Sequence, residues 1–476
     1  TVAVASTLGA GDTVFTTTNG GTVITDNDGN ADVTLTMPSS FTSGTLTLVN
    51  DAADDLTNFA DEFAVTDNQL TDYTVQINGG DNTILEVTAS AKSAAAAAAE
   101  LGVSEDAAVA TQNAATAFQG DATLRDLLTS TLVSGGTAAK EAAETLQGSP
   151  AAMSAAGSAA VTATGTQVIA VGSSRMASLR TGTAFASAQQ AGFAAGQDVL
   201  SKSVWFKPFV SFGDQNLRKG VAGYETDTYG GALGADVKIG NSTIGASFSY
   251  ANTDVDSKGT ENAQTDVDSY QGTIYADYTT ETYYVEALVG FARNEINSSR
   301  TITLNNLTAQ ADYGSNQYMV NIGAGMPMEV EKNHFITPTA SFQYTLVDNE
   351  TYTETGAGAA NLRIDQDEVH QALGVVGLKY HTNSTTAEGT LTPEIHAAAT
   401  YDFAGDDAVS SSNFQGGGAV FEVAGADVVE FGGRIGAGLS FMPAAAQGLT
   451  VSANYDMWTK EDFVSHSANV QLRLDF

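Results

Sequence analysis

Cysteine is absent from this chain, and basic residues are scarce. The 476 residues include 19 Lys+Arg against 55 Asp+Glu, so the net charge is −36. This balance argues against nucleic acid as a partner, because a strongly negative surface repels phosphates. The lack of cysteine removes disulfides and thiolate metal ligands, which suits a chain exported through an oxidising compartment.

Histidine is also rare, and the first of the five histidines is His334. The first 333 positions therefore lack the histidine that a Ser-His triad or a histidine zinc site requires. No Gly-x-Ser-x-Gly nucleophile setting occurs before residue 165. We therefore expect no enzymatic activity. Apolar runs are short as well, and none approaches the roughly 18 residues of a transmembrane helix.

Residues 203–476 alternate between apolar and polar positions. In the last strand, one face carries Val470, Leu472, Leu474 and Phe476, and the other carries Gln471, Arg473 and Asp475. A period of two predicts β-strands with two chemically different sides. Many of the predicted strands exceed ten residues, which is typical of strands between lipid and water. A large soluble β-sandwich is the alternative interpretation.

Twelve strands are predicted, at residues 203–214, 224–239, 243–255, 266–279, 282–296, 309–330, 334–347, 364–381, 389–402, 423–442, 448–458 and 463–476. Tight turns at 239–243, 279–282 and 330–334 contrast with long polar connections at 215–223, 256–265, 297–308, 348–363 and 403–422. This contrast is the layout of a bacterial outer-membrane barrel, with the short turns on the periplasmic rim. Since an open sheet edge is not tolerated in hydrocarbon, we expect the sheet to close.

The two faces of the predicted strands differ in the way that lipid and water require. The rows predicted to face lipid are Leu233/Ala235/Val237/Ile239, Ile244/Ala246/Phe248/Tyr250, Val285/Ala287/Val289/Phe291, Val320/Ile322/Ala324/Met326/Met328, Leu391/Pro393/Ile395/Ala397/Ala399/Tyr401, Phe431/Gly433/Ile435/Ala437/Leu439/Phe441 and Leu449/Val451/Ala453/Tyr455/Met457. The opposite faces suit a wet lumen and carry Glu286, Asn321, Glu394, His396 and Arg434. Aromatic residues near strand ends are predicted to form interfacial girdles, namely Trp205, Tyr250, Tyr401 and Trp458.

Residues 1–90 are acidic, and their short β-rich runs are separated by polar turns. This spacing predicts stacked strands of a β-solenoid or of a small sandwich. Oxygen-bearing side chains occupy alternate positions at Asp26, Asp28, Asn30 and Asp32, as in part of a calcium loop. The alternative is an Asn/Asp/Gly turn between two strands. We expect no cofactor other than calcium at these four residues.

Residues 91–163 are rich in alanine and show helical spacing, as at Leu124, Leu128 and Leu132. Glycine-rich breaks divide the segment into short helices. It is either a helical spacer that docks on the end of the preceding β region or a weakly packed linker domain.

Residues 164–202 are predicted to form one further helix, built mostly of small residues. Such a helix is long enough and narrow enough to thread a twelve-stranded barrel. Two basic residues stand out in it, Arg175 and Arg180. We expect them to face lumen acids such as Glu286 or Glu394.

Several motifs in order give the C-terminal part a family resemblance. They are Val204-Trp205-Phe206-Lys207-Pro208-Phe209, Gly223-Tyr224-Glu225-Thr226-Asp227-Thr228-Tyr229-Gly230, Leu233-Gly234-Ala235-Asp236, Asp268-Ser269-Tyr270-Gln271 and Leu472-Arg473-Leu474-Asp475-Phe476. With them, residues 204–476 resemble the translocator domain of monomeric autotransporters, the bacterial type V secretion proteins. Residues 44–49 and 82–88 resemble the last coils of an autotransporter passenger.

The resemblance and the patterns together predict a mainly β chain. A 12-stranded antiparallel transmembrane barrel (203–476) is threaded by an α-helix (164–202). An Ala-rich helical segment (91–163) and a short β-solenoid-like passenger (1–90) precede it. The resemblance implies an outer-membrane protein that inserts as a barrel and displays its passenger on the cell surface. We expect an adhesion or surface-coat role, because solenoid-like surfaces rich in Thr, Asn and Asp suit binding and the passenger has no catalytic set. The alternative is a plugged outer-membrane channel for small solutes.

The resemblance also implies partners. These are outer-membrane lipid and the barrel assembly machinery, which reads the C-terminal strand of the family. That role carries over to Leu472, Leu474 and Phe476. An extracellular surface ligand is expected from the adhesion role. Self-cleaving members often cut at paired asparagines in the pore helix, and residues 164–202 contain no asparagine. We therefore expect the passenger to stay attached.

Overall fold

The protein is described here by a computed structural model that covers residues 62–150 and 201–476, apart from residues 406 and 447. Before residue 62 it describes positions 2–3, 11, 13–16, 31, 33–38, 41–51, 56 and 60. The predicted calcium residues, Asp26, Asp28, Asn30 and Asp32, lie outside the described residues. So do Arg175, Arg180 and all but the last two positions of the predicted pore helix.

Seven strands form the described N-terminal region. They are β1 (Val2–Ala3), β2 (Thr13–Thr16), β3 (Val33–Thr36), β4 (Ser43–Asn50), β5 (Phe63–Thr66), β6 (Thr71–Asn78) and β7 (Asp81–Ala91). The first strands pair in parallel, β1 with β3, β3 with β5, and β2 with β4. Each parallel partner follows roughly thirty residues later, which is the coil length of a solenoid. An antiparallel set, β4–β7–β6, then ends the stack.

A compact apolar core holds the N-terminal region together. Leu35, Leu48, Leu85 and Val87 are fully buried there, and Phe41 stacks on Tyr73 with ring centroids 6.3 Å apart. The Tyr73 hydroxyl accepts a hydrogen bond from Asn68 Nδ2 at 3.0 Å and donates one to the Phe41 carbonyl at 3.1 Å. A buried phenol with both bonds made stabilises the folded region.

Four short helices follow, α1 (Ala94–Leu101), α2 (Glu105–Ala117), α3 (Ala122–Ser134) and α4 (Gly136–Leu146). We call them the cap helices. Side chains at the first three N-termini accept backbone N–H groups, at Ser93, Ser104 and Asp121. Gly102 ends α1 with a φ of 70°, a left-handed conformation that favours glycine. Among the described residues, no helix has the length and apolar composition that crossing a membrane would require.

Twelve long antiparallel strands close into a barrel, which confirms the predicted fold class. They are β8 (Ser201–Gln215), β9 (Tyr224–Ile239), β10 (Ser242–Ser257), β11 (Gln264–Thr279), β12 (Tyr284–Ile302), β13 (Leu307–Gly325), β15 (His334–Asn349), β18 (Val369–Thr382), β20 (Gly389–Asp402), β23 (Phe431–Pro443), β24 (Leu449–Lys460) and β25 (Phe463–Asp475). Each pairs with the next, and β25 pairs with β8 to complete the ring. Two short strands, β14 (Met328–Glu331) and β19 (Ser384–Thr385), extend turns at one rim.

Both ends of the barrel sequence meet at the short-turn rim. The Lys202 N–H donates to the Phe476 carbonyl at 3.0 Å, and the Phe476 N–H donates back to the Lys202 carbonyl at 2.8 Å. Along this seam the pairing passes from Phe206–Leu472 to Phe209–Asn469 and skips the positions between. Pro208 lies there, and proline has no N–H to donate across the seam.

Several predicted boundaries were wrong. The barrel begins at Ser201 rather than at residue 203, so the last two positions of the predicted helix 164–202 belong to a strand. The predicted loop 297–308 is mostly strand, since β12 runs to Ile302 and β13 starts at Leu307. The predicted strand 309–330 is two strands, β13 and β14, because the sheet pairing is interrupted at Met326 and Pro327, and proline has no N–H to donate.

The two longest connections were also misread as plain polar loops. They form a separate four-stranded antiparallel sheet, which we call the loop sheet. Its strands are β16 (Tyr352–Thr353), β17 (Leu362–Gln366), β21 (Val409–Phe414) and β22 (Gly417–Ala424), in that spatial order. The predicted strands 364–381 and 423–442 merged parts of β17 and β22 with barrel strands, because short apolar runs lie just before each barrel strand begins.

We predict that Tyr73 makes the N-terminal region sensitive to alkali. Burial raises the pKa of Tyr73 to about 12. An exposed tyrosine has a pKa of about 10, so the stabilisation is complete below pH ~10 and is lost as the pH rises through ~12. Proteolysis of the N-terminal region in urea, followed from pH 8 to 12, measures this loss.

The expected result is a falling free energy of unfolding above pH ~10, and the Tyr73→Phe variant should lose this slope. At neutral pH the same variant should be less stable by about 1 kcal/mol, through the lost hydrogen bond. Tyr283→Phe is the control, since Tyr283 is exposed in a barrel turn. An unchanged slope in Tyr73→Phe would contradict the assignment.

Candidate functional site

The outer wall of the barrel is apolar. The rows predicted to face lipid do point outward, with exposed side chains that include Leu233, Ile244, Val289, Ile322, Ile395 and Ile435. Tyrosines ring this surface toward the long-loop side, at Tyr229, Tyr250, Tyr270, Tyr318, Tyr344, Tyr401 and Tyr455. A closed barrel with an apolar exterior and aromatic girdles is stable in a bilayer, because its backbone groups are paired within the sheet.

The inner wall is polar and charged, as predicted. Glu286 and Asn321 are buried inside. Lys379 pairs with Glu394 at 2.5 Å across adjacent strands. Asp456 accepts from Arg434 Nε at 2.9 Å and lies 2.7 Å from His396 Nε2. Glu394 thus has a lysine partner on the barrel wall, so it does not depend on the predicted Arg175 or Arg180 for charge compensation.

Aromatic side chains fill the lumen where a glycine faces them on the next strand. Trp205 is opposite Gly234, and Tyr275 is opposite Gly245. A Cβ at either glycine would lie 2.4 Å from the facing ring, so only glycine leaves room. Trp205 Nε1 donates to the Tyr275 hydroxyl at 2.8 Å, and that hydroxyl donates to Asp236 Oδ2 at 3.0 Å.

The prediction that Trp205 belongs to an interfacial girdle was therefore wrong. Its side chain is 2% exposed and lies in the lumen. Trp458 faces the lumen as well, because it lies on the same face of β24 as Ser452 and Asp456, whereas Tyr455 is on the lipid side. The predicted place of Trp458 in the girdle was also wrong. Tyr250 and Tyr401 are exposed where the prediction placed them. The facing Gly234 was the signal in the sequence that distinguishes a lumen tryptophan from a girdle tryptophan.

The predicted helices of the Ala-rich segment cover the long-loop rim of the barrel, a docking site that the sequence did not predict. The cap helices and the loop sheet share one apolar core with the ends of β12 and β13 at the long-loop rim. From the helices it contains Phe118, Leu124, Leu128, Leu132, Leu146 and many alanines; from the rim it contains Ile302, Leu304, Leu362, Ile364, Phe414, Phe421 and Val423. Phe414 packs against Phe118 at 5.8 Å and against Phe421 at 5.5 Å between ring centroids.

The same core reaches the N-terminal region. Leu70, in the turn between β5 and β6, is buried in the core of the cap helices. Lys92 adds polar contacts, because its Nζ donates to the Asn68 carbonyl at 3.0 Å and to Glu100 at 2.6 Å. The cap helices therefore contact both the N-terminal strands and the barrel rim.

Helix α2 also covers the free edge of the loop sheet. The Ala419 N–H donates to Asn113 Oδ1 at 3.0 Å, and the Ala424 N–H donates to Asp106 Oδ2 at 3.1 Å. Both donors lie on the edge strand β22, whose N–H groups would otherwise be open to other strands. Gly416 allows the close approach, since a Cβ there would lie 2.4 Å from the Ala117 carbonyl.

A buried ion pair lies beneath the cap helices. Arg300 makes two bonds to Glu354, at 2.7 Å and 2.9 Å, and both side chains are about 5% exposed. Arg300 Nη1 also donates to the Thr145 carbonyl at 2.5 Å, near the C-terminus of α4, where a cation is favourable. Ser149 donates to Glu261 at 2.5 Å close by. Burial raises the pKa of the neighbouring Tyr352 well above its usual range.

The predicted assembly residues lie on the outer surface of the closing strand. Leu472 and Leu474 are each 47% exposed, and Phe476 is 68% exposed. Among the described residues, no group of three or more His, Cys, Asp or Glu side chains is placed to hold a metal. The calcium prediction concerns residues outside that set and stays a prediction.

We predict that Gly234 is required for a stable barrel. In Gly234→Ala the added methyl collides with the Trp205 ring, and such overpacking costs about 1–3 kcal/mol. Gly272→Ala is the matched control, because Gly272 faces outward with no atom within 4 Å of its Cβ position. The midpoint of heat-induced loss of the compact gel form should fall only in Gly234→Ala. Equal midpoints for the two variants would show that Trp205 does not need the glycine.

The chain is similar in sequence to a family of known proteins. The Autotransporter beta-domain family matches residues 204–456. Outer membrane protein A of Rickettsia conorii is 26% identical over 285 residues, covering 57% of this chain and 14% of that protein. Outer membrane protein B of Rickettsia prowazekii is 23% identical over 288 residues, covering 58% and 17%. The chain thus spans less than a fifth of the length of these relatives.

Two solved structures are similar to the chain. The translocator domain of the autotransporter NalP from Neisseria meningitidis has a TM-score of 0.46 at 14% identity, covering 65% of this chain and 98% of that one. The transport unit of AIDA-I from Escherichia coli has a TM-score of 0.47 at 14% identity, covering 58% and 90%. The family match covers more than half of the sequence, and so this chain belongs to the autotransporter β-domain family and is an outer-membrane protein.

Proposed function

We propose that this autotransporter displays residues 1–150 on the cell surface, still joined to their barrel. The observation that carries the proposal is the core shared by the cap helices and the long-loop rim. In outer-membrane barrels the long loops are extracellular and the short turns are periplasmic. The cap helices pack on the long-loop rim, opposite the short-turn rim where Ser201 and Phe476 lie. The cap helices and the N-terminal strands that they contact therefore belong on the outer side.

The proposed role of the displayed part is adhesive or protective, not catalytic. Residues 1–150 contain no histidine and no cysteine, which leaves out the common nucleophile–base pairs. The β6–β7 hairpin presents exposed Asp72, Thr74 and Gln76 at its surface. Such a polar surface, on strands that pack against the cap helices, suits binding to an extracellular ligand. This ligand is the partner that we propose.

The closing strand supports a second proposed partner, the barrel assembly machinery. Leu472, Leu474 and Phe476 form one exposed row that ends at the chain terminus. Because β25 is the strand that completes the ring, this row can be bound by another protein before β25 pairs with β8. The proposed binding partners of this row are proteins of the assembly machinery. Outer-membrane lipid contacts the row after the barrel has closed.

Two epitope tags test the display proposal on intact cells. The first is inserted at Gly79-Gly80, an exposed turn of the N-terminal strands. The second is inserted at Gly240-Asn241, an exposed turn at the opposite rim of the barrel. We expect antibody to bind the first tag on intact cells and the second only after the outer membrane is opened. The reverse pattern would contradict display and favour a channel with a periplasmic domain.

Gel analysis of a doubly tagged protein tests whether the displayed part stays attached. We expect both tags in one band, at or above the 49.0 kDa of residues 1–476. Two bands, each with one tag, would mean that the passenger is cut from the barrel. The two readouts are independent, because a displayed passenger gives surface labelling whether or not it is cut.

A further inference from the structure

The cap helices lack the apolar bulk to form a stable domain alone. They are 8 to 13 residues long, and helices of that length are marginal in water. The buried positions of α1 and α2 are almost all alanine, and an alanine buries only one methyl group. The ordering of each residue costs roughly 1–2 kcal/mol, which so few buried methyl groups do not offset.

The large side chains that complete this core come from the loop sheet. Leu362 and Val423 are fully buried against the helices, and Phe414 and Phe421 are 1% and 3% exposed. The loop sheet itself is fastened to the barrel. The Arg300–Glu354 pair joins it to β12, and Tyr352 stacks on Tyr313 of β13 at 4.0 Å between ring centroids.

The helix-facing surface of the loop sheet is shaped for α2. Its edge N–H groups donate to the side chains of Asp106 and Asn113, which lie about two turns apart on the same face of α2. Gly416 and Gly418 keep the β21–β22 turn close to the helix backbone, near the Ala117 and Asn113 carbonyls. Complementary hydrogen bonds and close backbone approach mark a specific contact between the two surfaces, not a general apolar one.

We infer that the loop sheet is the folding template for the cap helices. The helices gain their stable fold by docking on it at the extracellular rim, and this docking captures residues 1–150 outside as they emerge. The inference rests on the proposed surface display. It assigns to the barrel loops an active part in export, because the apolar partner that stabilises the helices exists only on the outer side of the membrane.

The test compares two substitutions of adjacent residues in β22, made in the full chain in cells. Phe421→Ser removes a buried ring from the shared core, whereas Val420→Ser changes a side chain that is 65% exposed. The readouts are the rate of proteolysis within residues 94–146, the rate at which a Gly79-Gly80 tag becomes accessible outside, and the heat-dependent gel shift of the barrel.

In Phe421→Ser we expect at least tenfold faster proteolysis of the cap helices and severalfold slower appearance of the tag, with the barrel shift retained. Val420→Ser should behave as the unmodified protein. Unchanged proteolysis in Phe421→Ser would show that the helices fold without the template. Faster proteolysis with normal tag appearance would show that docking takes no part in export, and would overturn the inference.

A second pair of variants covers the case in which Phe421→Ser also impairs the barrel. Arg300→Met leaves Glu354 buried without its cation, while Arg293→Met removes an ion pair to Glu350 that is largely exposed. Only Arg300→Met should loosen the cap helices. If the tag on the unmodified protein is never accessible outside, the proposed display fails; if it is accessible and all variants match it, only the template inference fails.

Discussion

The pairing of every backbone polar group inside hydrocarbon is the constraint on which this structure depends. A sheet meets it only by closing, and here the closure is the ladder between β25 and β8. Closure of an even number of strands brings Ser201 and Phe476 to one rim. Ser149 and Thr145 contact loop residues Glu261 and Thr303 at the other rim. The described chain on either side of residues 151–200 therefore ends at opposite rims, as the prediction of a pore-crossing segment requires.

Closure also decides which side chains the lumen accepts. The inward faces of β8 to β11 alternate bulky rings with glycines on the neighbouring strand, and Trp205 with Gly234 shows the rule. Along β18 to β24 the wall carries charges instead, and they compensate one another in Lys379–Glu394 and in the Asp456 cluster. A wall that satisfies its own charges places few electrostatic demands on a segment inside.

The barrel strands were predictable because apolar and polar residues alternate with a period of two along each of them. The row that ends in Phe476 and the row around Ile322 are both exposed as predicted. The loop sheet was missed because its strands have only two to eight residues and lie in polar sequence. A short run such as Leu362–Gln366 has too few positions to show which face it buries.

The cap helices illustrate a different limit. Their alanines predicted helix correctly, yet an alanine fits against almost any partner and so does not indicate which one covers it. The phenylalanines that cover them, Phe414 and Phe421, lie some 300 positions later in the chain. Arg300 gave no signal either, because its role depends on Glu354 and on the end of α4. The predicted residues Arg175, Arg180 and Asp26 lie outside the described part of the chain and stay predictions.

The shared core implies that the cap helices and the loop sheet form one cooperative unit on the long-loop rim. Hydrogen–deuterium exchange on the intact protein in detergent tests it without any substitution. Elements that open together exchange with one free energy of opening. The amides of α2 and of β22 should therefore be protected to the same extent. Rapid exchange throughout α2, beside a fully protected loop sheet, would contradict the claim.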